Sequence, residues 1–270
     1  MNSTSQGIGV FDSGVGGLTV VRELRRILPQ EKIVYFGDTA RVPYGTKSKE
    51  TIIRFSMENI LFLLKQNVKL IVIACNTSSS LALPEIKKHF RIPIIGVILP
   101  GAKESVYATR NKRIGIIGTR ATIASRAYEE EIKKLEPRAK IISQNCSLFV
   151  PLVEEGWLEG DIVNLVARHY LKPLKDFHVD TLILGCTHYP LLKKVIQGVM
   201  GKGVLLIDSS KQIAMEVKEI LEEGTLLQKG KKSDGNNLYC YVTDKPKIFK
   251  SLGEKFLGEK LNNIREVNNV

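Results

Sequence analysis

The sequence predicts an α/β fold made of two similar halves, each with a mainly parallel sheet. Three observations predict it. Short runs rich in Val and Ile recur along the chain, amphipathic stretches separate them, and a pattern in the first half returns in the second. With 270 residues the chain can form one large α/β domain or two small ones around an ample core.

The expected strands are Ile8–Phe11, Lys32–Phe36, Leu70–Ala74, Ile94–Ile98, Arg113–Ile117, Lys140–Ser143, Thr181–Leu184, Val204–Ile207 and Leu238–Val242. Their Val and Ile content and their length fit strands buried on both faces, as a parallel sheet covered by helices requires. The amphipathic stretches, such as Lys49–Lys65 and Ala121–Leu135, are expected to be those covering helices. Pro100-Gly101 follows the fourth run and is a candidate crossover between the halves. The segment from Lys229 to Asn237 is polar and carries Gly, so it reads as a surface loop.

The repeat has two parts. Ile8–Ser13 (IGVFDS) resembles Ile114–Thr119 (IGIIGT), and Leu70–Thr77 (LIVIACNT) resembles Thr181–His188 (TLILGCTH). The first pair is offset by 106 residues and the second by 111, in the same order. If the repeat organises the fold, Cys75 and Cys186 occupy matching strand ends and can face each other across a cleft.

Bulk properties narrow the function classes. Hydrophobic residues make up 43% and charged residues 25%, ordinary for a soluble globular protein. Met1 to Gly7 is polar and lacks the apolar stretch of a secretion signal, and no apolar run approaches the roughly 20 residues that cross a bilayer. A cytoplasmic location without membrane attachment is expected. The four cysteines, Cys75, Cys146, Cys186 and Cys240, show no C-x-x-C spacing, which fits free thiols in a reducing compartment. The net charge of +12 would suit nucleic acid, a membrane surface or an acidic small substrate. The Lys and Arg residues are nevertheless scattered in ones and twos, and the densest cluster is Lys229, Lys231 and Lys232. No basic stretch is interleaved with aromatics and no helix-turn-helix signal is visible, so nucleic acid is not an expected partner.

Cys75 and Cys186 each end an apolar run just before a helix signal. Asn76-Thr77-Ser78-Ser79 is a run of capping residues, and Thr187-His188-Tyr189-Pro190 puts Pro in a first turn. In open α/β sheets ligands bind beyond the carboxyl ends of the strands, where helix N-termini favour negative charge. Such a place suits both a thiolate and a bound carboxylate. A single cysteine is usually a small buried hydrophobe, but two in matched contexts point to chemistry. Cys146 and Cys240 have no capping run after them and read as structural.

Asp12-Ser13-Gly14-Val15-Gly16-Gly17 follows the first run, and its glycines permit tight turns and close approach. It lacks the order of a dinucleotide loop and the Lys-Ser/Thr of a phosphate loop, and Asp12 would repel phosphate. Asp12 suits an ammonium group or a held proton better. Tyr35–Gly45 (YFGDTARVPYG) is a second loop rich in turn and hydrogen-bonding residues. Cys186 and His188 have no partner pair at zinc-like spacing, so no metal site is expected and His188 reads as an acid/base helper. His89, His169 and His178 lie outside these motifs. Trp157 is either a packing anchor or a pocket lid.

Taken together, Val10–Leu18 (VFDSGVGGL), Tyr35–Gly45, Ala74–Thr77 (ACNT), Gly96–Ala102 (GVILPGA), Val150–Glu154 (VPLVE) and Leu184–Leu192 (LGCTHYPLL) closely resemble the glutamate racemases of the aspartate/glutamate racemase superfamily. They span nearly the whole chain in family order. Ser78 departs from the family, where Ala is frequent. The resemblance implies a pseudo-symmetric pair of α/β domains with the active site in the cleft between them, one of residues 1–99 joined by 209–270 and one of about 100–208. It implies a homodimer acting on L- and D-glutamate without pyridoxal phosphate, other cofactor or metal, in supply of D-glutamate for peptidoglycan. An aspartate racemase is the near alternative.

The residue roles follow from the same resemblance. Cys75 would be the acid/base on D-glutamate, assisted by Asp12, and Cys186 the one on L-glutamate, assisted by Glu154 and His188. Asp12, Ser13, Tyr44, Gly45, Asn76, Thr77, Thr119, Thr187 and His188 would hold the amino and carboxylate groups.

Overall fold

The computed structural model describes residues 3–228 and 237–267. All nine expected strands form: β1 (Gly7–Asp12), β2 (Ile33–Gly37), β3 (Val68–Ile73), β4 (Ile94–Gly96), β5 (Arg113–Gly118), β6 (Lys140–Asn145), β7 (Thr181–Gly185), β8 (Leu205–Ile207) and β9 (Leu238–Val242). A tenth, β10 (Ile264–Glu266), was not expected, because Ile-Arg-Glu carries no apolar run. It adds to the edge at β9 and stays largely exposed.

The strands make two sheets, ordered β10-β9-β2-β1-β3-β4 and β6-β5-β7-β8, with every pairing parallel. The order β2-β1-β3-β4 in the first is the order β6-β5-β7-β8 in the second. The repeat in the sequence is therefore a repeat of topology. The expectation of strands buried on both faces holds for β1, β2, β3 and β7. It fails for β6 and β8, which are edge strands with one side toward solvent.

Side chains alternate across β1 and β3, as a period of two demands. Ile8, Val10, Leu70 and Val72 enter one core, and that core continues through Ile117, Leu182, Leu184 and Leu174 of the second half. Phe11, Ile71 and Ile73 enter another, closed by Ile52, Ile60 and Leu63 of the helix Lys49–Lys65. That helix has the expected bounds. Ser48 caps it by accepting from the Thr51 N–H at 3.3 Å.

Two expectations are corrected. β4 stops at Gly96, and Ile98–Ala108 is a helix, so Pro100 and Gly101 lie in its first turns rather than in a bare crossover. Proline is tolerated there because the first-turn N–H groups have no partner within the helix. The stretch Ala121–Leu135 is two helices, Arg120–Ala124 and Ala127–Leu135, broken where Arg126 takes φ 57°. The expected loop at Lys229–Asn237, with Lys229, Lys231 and Lys232, lies outside the described residues apart from Asn237. The Asn237 amide donates to the Pro29 and Glu31 carbonyls. Among the described residues no helix is long and apolar enough to cross a membrane.

Candidate active site

The carboxyl ends of β1 and β3 carry one half of the site. Asp12 closes β1 and is fully buried. Its carboxylate accepts from the Gly14 N–H at 3.1 Å and from the Thr187 hydroxyl at 3.1 Å, the second bond arriving from the other half of the molecule. Burial raises its pKa, and the positive charge of His188 works against that rise. Cys75 lies just past β3, at the N-cap of the helix Asn76–Leu81, and is buried. Burial, and then the Asp12 charge, push its thiol up to about 12, while the N–H and hydroxyl of Ser78 hold it down.

The carboxyl end of β7 carries the other half. Cys186 directly follows the strand and is buried to the same degree as Cys75, at 6% against 5% exposure. His188 is buried beside it, with Nδ1 3.9 Å from the Cys186 sulfur and Nε2 3.2 Å from Glu154 Oε1. Glu154 ends the helix Phe149–Glu154. Burial alone would lower the His188 pKa, but Cys186 and Glu154 outweigh it and raise it to about 10. His188 is thus an imidazolium at neutral pH. The edge of its ring meets Phe256, with centroids 5.8 Å apart.

The halves meet tightly. A Cβ on Gly16 would lie 2.4 Å from Thr187 Oγ1 and 2.9 Å from His188 Nδ1, so any side chain there would force the Asp12 loop away from Cys186. A Cβ on Gly45 would lie 2.4 Å from Thr119 Cβ. The Thr77 hydroxyl is 2.9 Å from that of Thr119 and 3.2 Å from that of Thr122. A Cys186 thiolate also adds to the rise at Cys75, so each sulfur lies within reach of the other's charge.

The structure therefore gathers Asp12, Cys75, Cys186, Thr187, His188 and Glu154 at one place, with Asn76, Thr77, Thr119 and Gly45 adjoining. Ser13 is buried next to Asp12. Tyr44 is buried too, but its hydroxyl is committed to the Asp38 carboxylate and accepts from the Asn59 amide at 3.1 Å, so the phenol is not free for a ligand. Cys146 and Cys240 are core residues whose thiols burial pushes up. His89 and His169 sit on helices, and His178 follows the helix Asp161–Asp176 at φ 56°. Trp157 is half exposed and lines a surface pocket with Leu158, Ile162 and Leu191.

Sequence reasoning missed Thr122, Tyr128 and the influence of Ser78. Thr122 stands three residues after Thr119, which caps its helix, a spacing that could have flagged it. Nothing local signals Tyr128, whose hydroxyl donates across the halves to Asn76 Oδ1 at 2.7 Å. Among the described residues no group of three or more His, Cys, Asp or Glu side chains converges as a metal site would require.

Chemically, the site offers two thiols at equivalent strand ends, one beside a carboxylate and one beside an imidazolium. Such a pair can take a proton on one side of a bound carbon acid and deliver one on the other.

Known proteins share the sequence and fold of this chain. Residues 8–217 match the family model described as Asp/Glu/Hydantoin racemase. The chain is 50% identical over 260 residues to the glutamate racemase of Geobacter metallireducens, covering 96% of each. Its structure is similar to the crystal structure of glutamate racemase from Francisella tularensis in complex with D-glutamate, with TM-score 0.91, 43% identity and 98% of each chain covered. It is also similar to that from Thermus thermophilus in complex with β-chloro-D-alanine, with TM-score 0.87, 45% identity and 98% coverage of each chain.

Proposed function

The chain belongs to the Asp/Glu/Hydantoin racemase family, and from that premise we propose that it interconverts L- and D-glutamate with Cys75 and Cys186 as the two acid/base groups. One observation carries the reading: two sheets of the same strand order each present a buried cysteine just past the equivalent strand, and the Asp12–Thr187 bond ties the end of β1, the neighbour of β3, to the residue after Cys186.

The α-hydrogen of an amino acid is a very weak acid. Inversion removes it on one face and supplies another on the opposite face, which a single base cannot do without turning the substrate over. One cysteine acts as thiolate and takes the proton, leaving the C–H electron pair on Cα. The opposite thiol then donates its proton to that pair, and the sulfurs exchange roles. An unperturbed thiol pKa of about 8.5 is within tuning range of neutral pH. The carbanion is stabilised by fixed dipoles and charges in a dry site. Cys75 works on D-glutamate with Asp12, and Cys186 on L-glutamate with His188 and Glu154. Ser13, Gly45, Asn76, Thr77, Thr119 and Thr187 hold the amino and carboxylate groups. Tyr44 contributes through its backbone, since its hydroxyl is engaged.

The names of the similar proteins favour glutamate over aspartate. By the same reading the units are residues 1–99 with 209–270 and residues 100–208, the enzyme is a cytoplasmic homodimer that needs no cofactor, and its D-glutamate serves peptidoglycan synthesis. The strands of the two sheets support that division; the remainder rests on family resemblance. The test is circular dichroism on purified protein with each enantiomer in D2O, with a chelator present and no cofactor added. Each enantiomer should take up deuterium at Cα as it inverts. Turnover of aspartate in preference to glutamate would change the substrate, and dependence on pyridoxal phosphate or metal would end the two-thiol scheme.

A further inference from the structure

Asn76 directly follows Cys75 and is buried, with 6% exposure. Its carboxamide oxygen is taken by the Tyr128 hydroxyl at 2.7 Å, and among the described residues its amide nitrogen has no partner. The side chain borders a small cavity of about 20 Å³ shared with Cys186, Thr187 and Ser209. A carboxamide offers two donors on nitrogen and acceptor sites on oxygen, and turning it end for end exchanges them. Whatever holds the oxygen therefore decides where the donors point.

Tyr128 sits on the helix Ala127–Leu135 of the second half, buried at 2% exposure, with its ring against the backbone of Gly185 and of Gly101. Burial raises its pKa, the Ser209 hydroxyl works against the rise and the nearby Cys186 adds to it, so the hydroxyl keeps its proton through the neutral range. The second half thus reaches across to set the orientation of a residue adjoining the first cysteine.

We propose that Tyr128 is a positioning residue for racemisation: by donating to Asn76 Oδ1 it fixes the amide so that its N–H groups face the bound amino acid. This rests on the reading that Asn76 touches substrate. A phenol in this role ties substrate affinity to the closed arrangement of the halves, because the bond forms only when they are together.

The test is a double-mutant cycle read in kcat and KM for both enantiomers. Tyr128→Phe should raise KM about ten-fold, the scale of one lost hydrogen bond to a charged group, with kcat little changed. Asn76→Ala should raise KM at least as much. In the double variant, Tyr128→Phe should add less than about two-fold, since its target is gone. Replacing Tyr128 with p-aminophenylalanine, which restores an N–H donor, should bring KM back. If Phe leaves the slot too loose to fold, p-methylphenylalanine fills the volume without the donor and takes its place. An unchanged KM in the variant lacking the donor, or effects that multiply in the double variant, would overturn the proposal. An unchanged KM in Asn76→Ala with turnover intact would also overturn it. That last result would remove Asn76 as a substrate contact while leaving the racemase reading standing.

Discussion

The two cysteine-bearing strand ends have the same backbone frame and opposite electrostatics. Cys75 and Cys186 follow corresponding parallel strands and are equally buried. At Cys75 burial, and after it the Asp12 charge, drive the thiol up to about 12. Beside Cys186 stands the His188 imidazolium, itself held at about 10 by Cys186 and Glu154. Repetition of the fold supplied two sulfurs, and divergence of the neighbours made one environment negative and the other positive. A two-base reaction needs that asymmetry, because at any instant one thiol must hold a proton and the other must lack one.

The largest effect tests whether the sulfurs are equivalent in need. Cys75→Ser and Cys186→Ser should each lower racemisation by about 10²–10⁴-fold, the range for loss of a general acid or base, with the circular dichroism spectrum of the fold unchanged. Because the equilibrium constant of a racemisation is one, kcat/KM must fall equally from either enantiomer in each variant. The half-sites are told apart by α-deuterated substrates instead. His188→Asn removes the group in direct contact with Cys186 and reaches Cys75 only indirectly, through Asp12, so it should lower kcat/KM by about 10–100-fold and raise the isotope effect from L-glutamate more than that from D-glutamate. Equal increases would mean that His188 serves both sides.

The charge on His188 also makes stability depend on pH. Its folded pKa of about 10 lies above the unfolded value of 6.5. The stability this contributes is fully present below pH 6.5 and is lost as pH rises through about 10. Denaturant unfolding should show wild type losing a few kcal/mol across that window, and His188→Asn should flatten the slope. Asp12 has the same relation to stability, beginning from a carboxyl's ordinary 3.8: raised by burial, it favours the fold while protonated, and that contribution is lost as pH climbs through its folded value. A pH slope unchanged by His188→Asn would mean that the two environments differ less in charge than their geometry implies.

The contact between the two environments is testable at Gly16. A methyl group there would overlap Thr187 Oγ1 and crowd His188 Nδ1. Gly16→Ala should cost about 1–3 kcal/mol if the halves stay together, as overpacking does. If they part instead, the cost should appear as a raised KM at near-normal stability, which chemical unfolding and steady-state kinetics would separate.

Much of this arrangement was legible in the sequence because it rests on local pattern. Nine strands showed as apolar runs, and both cysteines showed as run ends followed by turn residues. Ile264–Glu266 escaped because an edge strand needs backbone pairing but no apolar side chains. Tyr128 and Thr122 escaped because their importance lies in contacts with Asn76 and Thr77, 52 and 45 residues away, which no local spacing encodes. Tyr44 carries both kinds of signal: the family resemblance marks it as a residue of the substrate site, while the bonds of its hydroxyl to Asp38 and Asn59 are visible only in the structure.

The smallest expected effect concerns Ser78, the position where the sequence departs from the family's frequent Ala. Its buried hydroxyl lies close enough to Cys75 to oppose the rise that burial and Asp12 impose. On the Cys186 side the neighbour is the His188 ring, with Nδ1 3.9 Å from the sulfur. Ser78→Ala leaves the N–H of residue 78 in place and removes only the hydroxyl, so the Cys75 thiol should move further up. Stability should change by under about 1 kcal/mol, because the hydroxyl has no nitrogen or oxygen partner to lose. The rate from D-glutamate at neutral pH should fall a few-fold, with the limb of its pH–kcat profile that reports Cys75 displaced to higher pH. An undisplaced profile would reduce Ser78 to a space-filler and leave Asp12 and burial alone to set the character of Cys75.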